Sequence, residues 1–158
     1  MAPAREIPDL SCDDSYRAAA GKVIWTRFEE MMSFRDAAVA GADIEGIHDM
    51  RVASRRLRAA LEVFADALPR RRVRPLLKDV KALADALGEV RDRDVLIERL
   101  QKDLKGSAPS VRLVLSDLIA GMDAERIAAR EDLTVILDRL DSENFQRRFL
   151  TFVAQECL

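Results

Sequence analysis

Histidine occurs once, at His48, and cysteine twice, at Cys12 and Cys157, near opposite ends of 158 residues. One imidazole and two distant thiols supply neither a disulfide framework nor a zinc-ligand spacing, so the cysteines read as ordinary reduced thiols and no metal centre is expected. Aromatic residues are only 5 % of the chain, and Trp25 and Tyr16 lie away from its basic segments. A platform for stacking nucleobases is therefore not evident. No apolar run approaches the roughly 18–20 residues that span a bilayer. The N-terminal MAPAREIPDLSCDD lacks the apolar middle of a secretory signal. Residues 1–13 read as a flexible leader, residues 14–158 as one helical domain, and the expected location is cytoplasmic. Sustained period-two alternation, the mark of strands, is missing too. There is no glycine-rich phosphate loop, and Gly21-Lys22-Val23 is not a Walker motif. Ser54 and His48 point about 240° apart on a helix, so they form no nucleophile–base pair. Asp92 and Asp94 point about 200° apart on a helix and cannot share a metal ion there. No constellation suggests catalysis, and a non-enzymatic role with no cofactor is expected.

What is present is helical periodicity nearly throughout. With 49 % hydrophobic and 34 % charged residues, the chain has the makings of one soluble globular core. A first helix is expected from Ser15 to about Ala40, capped by Asp13 or Asp14, with Ala20, Ile24, Phe28, Met31, Phe34 and Ala38 in one stripe. Gly41 reads as its stop and Asp43 as the next N-cap. A second helix runs from about Ile44 to Leu68, ended by Pro69. A third starts near Arg71–Arg74 and reaches Leu87, burying Leu76, Leu77, Val80, Leu83 and Leu87. After Gly88 a fourth covers Glu89 to Lys105, with Leu96, Leu100 and Leu104 inward. Gly106-Ser107-Ala108-Pro109 is a break. A fifth runs from Ser110 to about Leu140, weakened at Gly121. Val111, Leu115, Leu118 and Met122 form its first stripe, and Leu133, Ile136, Leu137 and Leu140 a later one. A last helix, capped by Asp141 or Ser142, carries Phe145, Phe149 and Phe152. The expected fold is all-α, an antiparallel bundle of about six helices.

One stretch stands out against a net charge of −2: the run from His48 to Arg58 holds the only histidine and four arginines. On a helical wheel His48, Arg51, Arg55 and Arg58 fall within about 80° of arc, nearly opposite Met50, Ala53, Leu57, Leu61, Phe64 and Leu68. Arg56 lies on a flank. Arg51 is followed at i+4 by Arg55, and Arg55 by Ala59, so acidic partners are mostly missing along the row. Like charges at that spacing cost a few tenths of a kcal/mol. Downstream, Arg74, Lys78 and Lys81 form another row at i, i+4, i+7. Arginine forks bind phosphate oxygens bidentately and stay charged. The natural compensator is an external polyanion.

The runs 48-HDMRVASRRLRAALEVF-64 and 87-LGEVRDRDVLIERL-100, with the closing 145-FQRRFLTFVAQE-156, resemble the CHAD domain, the conserved histidine α-helical domain. The resemblance covers about residues 14–156. It implies an all-helical fold with a basic channel or groove between two similar bundles, binding of inorganic polyphosphate, and association with polyphosphate granules. Matched residue by residue, it places anion contacts at His48, Arg51, Arg55 and Arg58, and matches Arg91 in the second motif. Asp92 and Asp94 match that motif's acids and are expected to orient or cap rather than touch phosphate. Lys78 and Lys81 are added from the wheel. The family usually carries the histidine–arginine motif twice, and here it occurs once. The expectation is a half-length member that pairs as a symmetric homodimer, or else a groove lacking one half.

The expected function is thus non-catalytic polyphosphate binding, without a membrane partner. The alternatives are a nucleic-acid binder using the same arginines, a scaffold docking an acidic protein, and a partner or enzyme in phosphate processing.

Overall fold

A computed structural model describes residues 3–41 and 43–157. Its described residues form six helices and no strand: α1 Tyr16–Ser33, α2 Arg35–Ala40, α3 Ile44–Val63, α4 Arg70–Gly106, α5 Pro109–Ser142 and α6 Phe145–Glu156. The all-α reading therefore stands, with several boundaries moved for local reasons. The first expected helix is two. Phe34 closes α1 with an i to i−3 bond from its N–H to Met31 O at 3.2 Å, a tightened last turn, and α2 restarts at Arg35. Ser15, not Asp13 or Asp14, caps α1, its hydroxyl accepting from Ala18 N. Asp14 is engaged instead by Lys22 at 2.8 Å, whose ammonium holds the carboxyl below its ordinary range. Gly41 adopts φ 62, the left-handed stop that the sequence signals, and Asp43 caps α3 through Glu45 N and Gly46 N. That cap satisfies donors a helix start leaves open.

The largest departure is at Gly88. The two helices expected on either side of it are one continuous α4 of 37 residues, about 55 Å long at 1.5 Å per residue. A lone glycine costs a helix about 1 kcal/mol, which packing on both sides overcomes. Pro75 is inside α4 as well, at its sixth position, where its missing N–H leaves the Arg71 carbonyl without its i+4 donor. At the other end of α3 the helix stops at Val63, and residues 64–67 are turns followed by a bend at Leu68. The residue at the N-cap position of the last helix is Asn144, in the left-handed region at φ 54 and without a side-chain cap bond, rather than Asp141 or Ser142.

The core is one cluster. Ile24, Phe28 and Met31 of α1 meet Met50, Leu57 and Leu61 of α3, Val80, Leu83 and Leu87 of α4, Leu133 and Leu137 of α5, and Phe149 of α6. Phe28 and Phe149 stack with ring centroids 4.3 Å apart, and Phe145 meets Phe149 edge-on at 5.1 Å. Inside this core is a buried carboxylate, Glu30, 1 % exposed, held by Arg27 at 2.7 Å and Arg56 at 2.6 Å. Residues 3–14 lie along α1: Arg5 N donates to Glu30 Oε1, and Arg27 donates to Arg5 O.

Beyond Ile97, α4 and α5 leave the core as a two-helix hairpin. No residue between Ile97 and Ala129 is fully buried. Leu100, Leu104, Leu115 and Met122 are half-buried in its seam. Leu96, Val111 and Leu118, expected to point inward, are exposed. The periodicity there marks a face with no protein on it.

Candidate functional site

Why does α3 present a basic face? Its buried side is Ile47, Met50, Ala53, Ser54, Leu57, Ala60 and Leu61, and packing these against α1 and α4 rotates the row of His48, Arg51, Arg55 and Arg58 outward. Arg51, Arg55 and Arg58 line a cleft of about 310 Å³ with Ala59 and Glu62 of α3 and Ala84 and Asp85 of α4. A Cβ added at Gly88 would lie 3.6 Å from Arg51 Nε. The glycine that does not break α4 instead lets the Arg51 side chain lie against it.

Arg51 and Arg55 make no ion pair among the described residues, whereas Arg58 is bonded to Glu62 through Nε at 3.0 Å. The i+4 position of Glu62 made that pair readable, and it corrects the picture of an acid-free row: two arginines are uncompensated, not three. Asp85, from the facing helix, is a second carboxylate in the cleft that the periodicity of α3 did not reveal. His48 is half-buried, one turn beyond Arg51 on the same row. Starting from the Arg51–Gly88 contact, one turn back along α3 and one turn on along α4 bring His48 and Arg91 to the same level. Arg91 is half-buried, and its Nη1 is buried without a hydrogen-bond partner. Lys78 and Lys81 are exposed and do not line the cleft. They continue the outward face of α4 that carries Asp85, one and two turns before it.

The acids of the second motif divide. Asp92 is exposed. Asp94 is 3 % exposed and faces Arg126 of α5, Nη1 at 3.5 Å. Burial pushes its carboxyl above the ordinary 3.8, against the opposing pull of Arg126 and Arg91. Between these acids, Arg93 is clamped by Glu89 at 2.7 Å and Glu125 at 3.3 Å, and Glu89 above all raises its pKa. This segment ties α4 to α5 and holds Arg91 at the edge of the basic row. Arg126, 32 residues from Asp94, carried no sequence signal for this role. Arg56, on the flank, is turned inward to Glu30 and takes no part in the cleft.

Chemically, the arrangement is a set of forked cationic donors on one wall with little to neutralise them, suited to an extended oxyanion. Among the described residues no group of three or more histidine, cysteine, aspartate or glutamate side chains is placed to hold a metal ion. Among the described residues no helix is long and apolar enough to cross a membrane. Trp25 stacks on Phe28 and Tyr16 on Phe64, so neither ring lines the cleft.

Two uncharacterized proteins of Mycobacterium tuberculosis, Rv2226 and MT2285, are similar to the chain at 28 % and 27 % identity over 154 residues. The match takes in 96 % of this chain and 28 % of each relative, so the chain spans little more than a quarter of their length. No solved structure matches. The family model of the CHAD domain matches residues 22–157, almost the whole helical bundle including both clefted helices, and the chain belongs to the CHAD domain family.

Proposed function

We propose that the protein binds inorganic polyphosphate without turning it over, along the row His48, Arg51, Arg55 and Arg58, with Arg91 extending the row across to α4 and Lys78 and Lys81 as outer contacts. The observation that carries this is the uncompensated pair Arg51 and Arg55 inside a cleft. Their forks are held on a rigid helix, have no carboxylate bonded to them, and repeat about every 6 Å along the axis. A chain of linked phosphates carries negative charge along its whole length and can meet successive forks, whereas a single protein carboxylate meets one. Membership of the CHAD family supports the same reading.

Each charge-assisted contact is worth about 1.5–3 kcal/mol. Reversing Arg51 and Arg55 together, as Arg51→Glu with Arg55→Glu, should therefore weaken long-chain polyphosphate binding by roughly a hundredfold or more. Helix content by circular dichroism should not change, because both side chains face outward. Affinity should fall with added salt and rise with chain length, as expected when phosphates release counterions. Normal binding by the double variant would move the site elsewhere. Orthophosphate released from polyphosphate in the presence of Mg²⁺ would replace binding with hydrolysis.

The same proposal includes a homodimer that completes a two-walled groove. It is supported by Val111, Val114 and Leu118, exposed on one flank of α5. Sedimentation alongside the titration tests it: a monomer with full polyphosphate affinity removes the pairing and leaves the site.

A further inference from the structure

A second arginine-lined cleft lies where the start of α4 meets α6. Its rim is Arg71, Arg72, Arg147 and Arg148, its floor is Pro75, Leu76 and Phe152, and its volume is about 350 Å³. Arg72 is anchored by Glu156 and Gln155, and Arg148 by Asp79 and Glu143. Arg71 and Arg147 are exposed and make no ion pair among the described residues. The cleft therefore holds two fixed guanidinium groups already neutralised and two free ones. Arg148 also keeps its Nε buried without a hydrogen-bond partner. Both helices start here with arginine in the first turn, no acid there and no side-chain cap. That is the reverse of what the helix dipole favours, so the two starts add to the positive potential.

This cleft differs from the polyphosphate cleft in place and in make-up. Pro75 and Asp85 are ten residues apart on α4, about 15 Å, and the two linings face opposite sides of the helix. The first cleft is a polar trough. The second has an apolar floor beneath its charged rim, the combination that orients an organic molecule by one end.

We propose that this second cleft is a binding site for a small organic phosphate, a compact anion of about two charges joined to an apolar or planar body. The phosphate would bridge Arg71 and Arg147, and the body would cover Pro75 and the edges of Leu76 and Phe152. Arg72 and Arg148, held by their carboxylates, fix the rim.

The test uses the full chain with two probes, ADP and inorganic pyrophosphate, in calorimetric titration. ADP should bind, and pyrophosphate should bind at least tenfold more weakly because nothing on it covers the floor. Arg71→Glu with Arg147→Glu, both at exposed positions, should weaken ADP at least tenfold with unchanged circular dichroism. Arg51→Glu with Arg55→Glu should leave ADP binding as it was. The proposal is overturned if ADP does not bind at millimolar concentration, if pyrophosphate binds as well as ADP, or if ADP is lost with Arg51 and Arg55 rather than with Arg71 and Arg147. Because the polyphosphate reading is tested by the other pair of arginines, either can fail while the other stands.

Discussion

At the scale of single residues, charge is placed in two ways. Glu30 shows the first: a carboxylate sunk in the core and bridged by Arg27 and Arg56. Removing both guanidiniums, Arg27→Met with Arg56→Met, strands the carboxylate and should cost about 3–5 kcal/mol in urea unfolding. Asp94 shows a milder version. An unfolded chain releases its proton near 3.8, while burial makes the folded chain keep it to higher pH. The folded state thus binds more protons in that window, and stability is lost as pH rises through it. Asp94→Asn removes this dependence. Its melting temperature should gain on that of the parent as pH rises above about 3.8, until the folded carboxyl has ionised, and then run level with a constant offset. Arg51 and Arg55 show the second way, outward and unpaired. The outward row was legible because an i, i+4 spacing is local and survives any tertiary arrangement. The partners of Glu30 and Asp94 were not, since Arg56 is 26 residues from one and Arg126 is 32 from the other, and only the packed fold brings them together.

At the scale of elements, the continuity of α4 decides most of the geometry. Glycine was read as punctuation at residues 41, 88 and 106. That was right at Gly41, where the backbone is left-handed, and wrong at Gly88, where neighbours on α3 and α5 support an unbroken helix. Local propensity of about 1 kcal/mol cannot outvote a buried face. The added Cβ at residue 88 would meet only Arg51 Nε, at ordinary contact distance. Gly88→Ala should therefore stabilise the protein by roughly 0.5–1 kcal/mol, measured by chemical denaturation. Gly88→Leu fills the space the Arg51 side chain uses. It should keep helix content while weakening the proposed polyphosphate binding several-fold, and an unchanged affinity would mean that Arg51 needs no such seat. The caps divide in the same manner. Asp43 is identifiable because it precedes an apolar-periodic run, whereas α6 starts at Asn144 from a left-handed turn that no spacing announces and that no side chain caps.

At the scale of the whole molecule, core and hairpin are different materials. The base of the bundle is closed by Phe28, Phe149 and their neighbours. Between Ile97 and Ala129 α4 and α5 hold only each other. In the dissociated monomer, amide hydrogen exchange should be at least tenfold faster through residues 100–125 than through residues 76–90, since opening the hairpin exposes no core. Equal protection of the two regions in the associated protein would mean that a partner covers the hairpin in solution. Legibility failed here for one reason: an apolar stripe reports which face a helix would bury, not whether a partner is present to bury it. The bend at Gly106–Pro109 lies at the far tip of this hairpin, away from both arginine clefts. A fluorescent reporter or an affinity handle grafted there would ride on the molecule like a flag on a mast, tracking where it goes without obstructing what it holds.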